Sequence, residues 1–164
     1  VMYFVNIQPL IANENLIYAL QAVNGGDAAS KEQAFKELTI ALNESRLGRP
    51  EVTEWISSSA EQILSSDIPT VDKNSYFSFA KNSIEGVLRE LPTDARYQLL
   101  AGTFYDQTGF PDDAIKHLKI AQTLLPGKQA AYIALGSAYI NKGDHTDALA
   151  SFNAAHDLSP TYIY

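Results

Sequence analysis

Apolar residues recur at helical spacing along most of the chain, and turn-forming clusters divide the pattern into segments of helix length. Leu16, Ile17, Leu20 and Val23 form one stripe, closed by Gly25-Gly26-Asp27. Ser30-x2-Gln33 has the form of a capping box, and it opens a second stripe carrying Ala34, Leu38 and Ala41. Val52, Trp55, Ile56, Ala60 and Ile63 make a third. Pro69 and the Ser65-Ser66-Asp67 cluster break the chain after it, which predicts an elongated turn over residues 66–73. Ala80, Ile84 and Val87 mark a further helix, ending before Pro92.

The last seventy or so residues repeat. Gly102 and Gly136 lie 34 positions apart, and so do Tyr105 and Tyr139, Gly109 and Gly143, Ala114 and Ala148, Leu118 and Phe152, Ala121 and Ala155, and Pro126 and Pro160. Seven coincidences at one period define two copies, 94–127 and 128–161, followed by the start of another helix. The second-helix signature extends upstream at the same period to Ala80, Ile84, Val87 and Pro92, and recurs a further 46 residues earlier at Ala34, Leu38 and Ala41. The expected fold is therefore all-α: an α-solenoid of about four helical hairpins. Two degenerate hairpins occupy residues 1–93, and two regular ones occupy 94–164.

Each repeated position has a packing explanation. Glycine inside a helix costs about 1 kcal/mol against alanine, so Gly102 and Gly136 predict close approach of a neighbouring helix. Gly109 and Gly143 stand where a helix ends in a left-handed residue. Asp144 is placed to cap the following helix, with Asp147 favourable in its first turn. Pro126 and Pro160 terminate second helices. Ala114, Ala121, Ala148 and Ala155 let helices pack closely, and Tyr105, Tyr139 and Phe152 fill the spaces between them.

The second copy reads Tyr132-x2-Leu135-Gly136-x2-Tyr139, then Ala148-x3-Phe152, then Pro160. It resembles the tetratricopeptide repeat. The first copy departs from that pattern at Gln98, Ala101 and Leu118. The N-terminal half carries a second resemblance, through Asn6-x2-Pro9, Ala19-Leu20, Ala41-Leu42-Asn43 and Gly48-Arg49-Pro50-Glu51-Val52. This order is similar to the C-terminal extramembrane region of O-antigen ligase/polymerase-like membrane proteins of bacteria. It implies an extracytoplasmic appendage whose catalytic membrane part lies elsewhere, with a cytoplasmic adaptor as the alternative. The apolar run Val1–Val5 is too short to span a bilayer, which takes about 20 residues, so any membrane link is expected upstream of Val1.

Composition narrows the function. The 164 residues carry a net charge of −7, without the basic footprint that nucleic acids or anionic lipid surfaces select. The absence of cysteine excludes disulfides, thiol catalysis and thiolate metal sites. His117, His145 and His156 form no close ligand pair and read as surface histidines. Asp112-Asp113, after Pro111, suits a helix start and lacks the cleft that an acid pair requires. Gly25-Gly26 is a turn without a phosphate-loop ending. Asn43-Glu44-Ser45 matches a glycosylation sequon by chance. No catalytic residue, metal site or cofactor is expected.

In stacked repeats the first helix of each pair lines the concave face. The expected groove residues are Arg96, Leu99, Thr103, Asp106, Ile133, Ser137, Ile140 and Asn141. Leu99, Thr103, Ile133 and Ser137 stand where the carboxylate-clamp class carries polar or basic residues, which disfavours chaperone-tail binding. The expected partner is a protein or peptide segment. A free adaptor and a glycan-binding accessory are the alternatives, the latter resting on Trp55 alone. Tyr162 and Tyr164 lie at the C-terminal end, where an uncapped array exposes an apolar face that a second copy of the chain or crystal contacts are expected to cover.

Overall fold

A computed structural model of the chain describes residues 70–159 continuously, together with Ala29, Gln33, Pro50, Thr53, Glu54, Ile56, Ser57 and Ala60. All regular structure among the described residues is helical. Five helices follow one another: α1 (Thr70–Glu90), α2 (Ala95–Gln107), α3 (Pro111–Leu124), α4 (Gln129–Lys142) and α5 (His145–Leu158). The chain divides into two compact units, residues 1–83 and 84–164.

In the first unit Ile56, Ala60, Tyr76 and Ala80 are buried, and so are Thr53 and Ser57. The Tyr76 hydroxyl donates to the Ile56 carbonyl at 2.8 Å, pinning the start of α1 to the preceding helical turns. Trp55 and the two stripes before it lie outside the described residues, as does the sequon. The helix α1 begins inside the stretch predicted as an elongated turn: residues 70–73 are helical, and 66–69 lie outside the described residues. The physical reason is the stripe Tyr76, Ala80, Ile84 and Val87, buried along one face, which favours a helix through this stretch.

The second unit is built from α2 to α5 and the end of α1. The helices α2 and α4 start 34 residues apart, and so do α3 and α5. Each end has a local cause. Asp94 caps α2, its side chain accepting from the Arg96 amide at 2.9 Å. Asp144 caps α5 through the Asp147 amide at 3.2 Å. Pro111 occupies the first turn of α3 beside Asp112 and Asp113. Both first helices end on a left-handed glycine, Gly109 at φ 86° and Gly143 at φ 84°. Beyond each glycine the next amide returns to the helix: Phe110 donates to the Tyr105 carbonyl, and Asp144 to that of Tyr139, both at 2.8 Å. These bonds satisfy carbonyls that helix ends otherwise leave open.

The helix α2 packs on α3, α3 on α4 and α4 on α5, and α2 also touches α4. The second helix α3 is thus packed against the first helix of the next pair, and the first helices α2 and α4 are neighbours. This is the stacking of an α-solenoid. Ile84, Val87, Ala101, Phe104, Tyr105, Ala114, Leu118, Ala121, Ala131, Leu135, Ala138, Tyr139, Ala148 and Ala155 form its buried layer.

Candidate functional site

The first helices α2 and α4 carry all eight expected groove residues. Leu99, Thr103, Asp106, Ile133 and Ser137 are half-buried, whereas Arg96, Ile140 and Asn141 are exposed. Asp106 joins the two helices. Its carboxylate accepts from Ser137 Oγ at 2.9 Å and from Asn141 Nδ2 at 2.8 Å. Thr103 Oγ1 donates to its own helix at the Leu99 carbonyl. Around the Asp106 bridge, Leu99 and Ile133 supply aliphatic surface at registers 34 apart. Arg96 stands apart: its guanidinium donates to the Tyr97 hydroxyl at 2.9 Å and lies over that ring. It borders a shallow recess shared with Leu91, Thr93, Leu124 and Leu125.

The packing glycines are tightly enclosed. A Cβ on Gly102 would meet Leu118 Cδ2 at 2.6 Å and the Ala114 carbonyl oxygen at 3.2 Å. A Cβ on Gly136 would meet the Phe152 ring at 2.6 Å. Pro160 lies outside the described residues.

A polar network in the first regular repeat went unread in the sequence. Gln98 is buried; its Nε2 donates to the Pro92 carbonyl at 2.9 Å, and its Oε1 accepts from His117 Nδ1 at 2.8 Å. His117 also stacks on the Tyr105 ring, with centroids 5.5 Å apart. It is therefore a half-buried packing residue and not the surface histidine expected. The clue was Gln98 itself, a hydrogen-bonding side chain where the repeat pattern carries an aromatic. Burial lowers the His117 pKa below the ordinary imidazole value; Lys116 adds to this, and Asp113 and Glu85 oppose it. The Tyr105 hydroxyl donates to Glu85 at 3.5 Å. Burial, then the charges of Glu85 and Asp113, push its pKa up to about 12.

In the second repeat, the register of Glu85 is taken by Lys119, which lies 5.6 Å over the Tyr139 ring. The Tyr139 hydroxyl holds the Lys119 ammonium above its usual pKa. On the surface, Lys142 pairs with Asp112 at 2.7 Å. His145 begins α5 and His156 lies in its last turn; both are exposed. Among the described residues no group of three His, Cys, Asp or Glu side chains is placed to hold a metal, and no helix is long and apolar enough to cross a membrane.

Residues 129–162 match the family model of the tetratricopeptide repeat. That span covers α4 and α5. Among solved structures the chain is similar to MamA MSR-1 C2, at 17% identity over 97% of this chain and 96% of that one, with a TM-score of 0.60. It is also similar to a MamA mutant, at 20% identity over 90% and 97% of the two chains, with a TM-score of 0.54. The sequence matches no curated protein. At these identities the likeness is one of fold, and it defines the class: an all-α tetratricopeptide-type solenoid.

Proposed function

We propose that the chain is a non-catalytic protein-interaction module that receives a peptide segment or partner helix along the adjoining first helices α2 and α4. The observation that carries this reading is the Asp106 bridge. It holds two helices side by side, with Leu99, Thr103 and Ile133 half-buried and Asn141 accessible. A face of that kind offers aliphatic contact together with a fixed carboxylate and amide, which suits an extended or helical segment.

The test begins with peptides selected from a displayed library for binding to the chain, their affinities then measured by calorimetry. Ile133→Glu is expected to weaken binding by at least about tenfold, or about 1.4 kcal/mol, while Lys116→Glu on the second-helix side leaves it unchanged. Circular dichroism checks that both variants remain folded. Peptides insensitive to Ile133→Glu overturn the groove reading.

The finer reading is an extracytoplasmic appendage of a bacterial membrane protein of glycopolymer ligation or polymerisation. It is supported by the order of motifs between Asn6 and Val52, and reading the gene upstream of Val1 tests it. A series of hydrophobic spans is the expected result, and a soluble upstream region overturns it. Association of two copies through the C-terminal end belongs to the same interaction-module reading.

A further inference from the structure

The repeat supplies its own measure of what covers a second helix. Ile115 and Leu118 on α3 are 7% and 0% exposed, on a helix packed against both α2 and α4. The residues 34 later on α5, Leu149 and Phe152, are 62% and 38% exposed. Ile140 on α4 is 47% exposed, at the register where Asp106 binds the following first helix. The same side-chain pattern is sealed in one repeat and open in the next.

The open face has an order of its own. His145, Leu149, Phe152 and His156 follow at spacings of four, three and four, which places them on one stripe of α5. Asp144 and Asp157 flank them. The order carboxylate, imidazole, apolar, apolar, imidazole, carboxylate is the same from either end. A stripe with that property is self-complementary under the two-fold axis of an antiparallel helix pair. Leu149 of one copy then meets Phe152 of the other, and His145 meets His156. At each end two imidazoles stand between the Asp144 carboxylate of one copy and the Asp157 carboxylate of the other. The helix carries no Lys or Arg, so these imidazoles are its complement to its own acidic ends.

We infer that a second copy of this chain covers the α5 stripe, in an antiparallel α5–α5 pair. The inference rests on the interaction-module reading and gives its self-association a residue-level form. It also fixes which cross-links are possible. In the antiparallel pair residues 145 and 156 of opposing copies are level. Two copies of residue 145 are separated along the axis by about 16 Å, from the helical rise, beyond the reach of a disulfide.

The experiment uses sedimentation velocity and cysteine trapping, helped by the absence of native cysteine. The chain is expected to sediment as a dimer within the range of about 1 to 100 µM. Leu149→Glu, at a position with open surroundings, is expected to weaken the dimer by at least about tenfold with an unchanged helical melting curve. A mixture of His145→Cys and His156→Cys chains is expected to give the mixed disulfide, and neither variant alone to give its own. A monomer across the whole range, a dimer indifferent to Leu149→Glu, or self-cross-linking of His145→Cys overturns the inference. A monomeric Leu149→Glu chain that still binds groove peptides leaves the groove reading standing. A dimer whose peptides ignore Ile133→Glu overturns the groove reading alone.

Discussion

The two regular repeats, 94–127 and 128–161, satisfy the same structural requirements with different chemistry. Gln98 and Tyr132 occupy one register. Each donates a 2.9 Å hydrogen bond to the carbonyl of the preceding proline, Pro92 or Pro126. An amide and a phenol thus close the same link between consecutive hairpins. The amide has a second polar atom to satisfy, so it recruits His117; the phenol has none, and the histidine register there holds Ser151, which bonds back to Asp147 of its own helix. Glu85 and Lys119 share another register, and each approaches the tyrosine of the next first helix, one through the hydroxyl and the other over the ring. What the repeat preserves is the contact. The charge, and even the sign of the charge, is left free.

The sharpest difference between the repeats is burial. Leu118 is sealed and Phe152 is not, although each fills the space over its glycine. The largest expected effect follows from this. Leu118→Ala should cost about 3–4 kcal/mol in chemical denaturation, as a fully buried truncation does, and Phe152→Ala about 1–2 kcal/mol, in proportion to the surface it buries. Equal losses would mean that Phe152 is covered in solution, as in the α5 pair.

The glycines sharpen the comparison next. Gly102→Ala forces a methyl against a buried leucine and a backbone oxygen, which predicts a loss of about 1–3 kcal/mol. Gly136→Ala meets the outer edge of a partly exposed ring, which has room to turn aside, and the gain in helix propensity offsets much of the strain. Its net effect should be under about 1 kcal/mol. Thermal melts of the two variants decide the point, and a larger loss for Gly136→Ala would contradict it.

The smallest effect is one of pH. Burial lowers the folded-state pKa of His117, so the unfolded chain takes up its proton first. The stabilisation is complete above the unfolded value of about 6.5. It is lost as pH falls from there through the folded value. His117→Gln should flatten the fall in melting temperature below pH 6.5. A variant that follows the wild-type slope would show that this imidazole does not report its burial.

Much of this architecture was legible in the sequence because helical repeats are built from local rules. Gly109 and Gly143 punctuate the first helices, Asp144 caps α5, and Pro111 with Asp112 and Asp113 opens α3, each acting within a few residues. The Asp106 bridge was only half legible. Asp106, Ser137 and Asn141 were placed on one face from their registers, but the pairing among them depends on how closely α2 and α4 approach. The Gln98–His117 bond was not legible, since it joins residues 19 positions apart on two helices and replaces the aromatic of the repeat pattern. Residues 70–73, expected as part of the turn over 66–73, are helical in α1, because turn-forming residues in a sequence do not show how soon after them a helix resumes.

The sequence alone determined the helices, their ends and their period, because caps, left-handed glycines and apolar spacing act over a turn or two of chain. Tertiary structure decided which of these residues became interior. The same apolar registers are sealed on α3 and open on α5, since burial belongs to whatever lies across a helix. The helix α3 packs against both α2 and α4, whereas among the described residues α5 packs chiefly on α4.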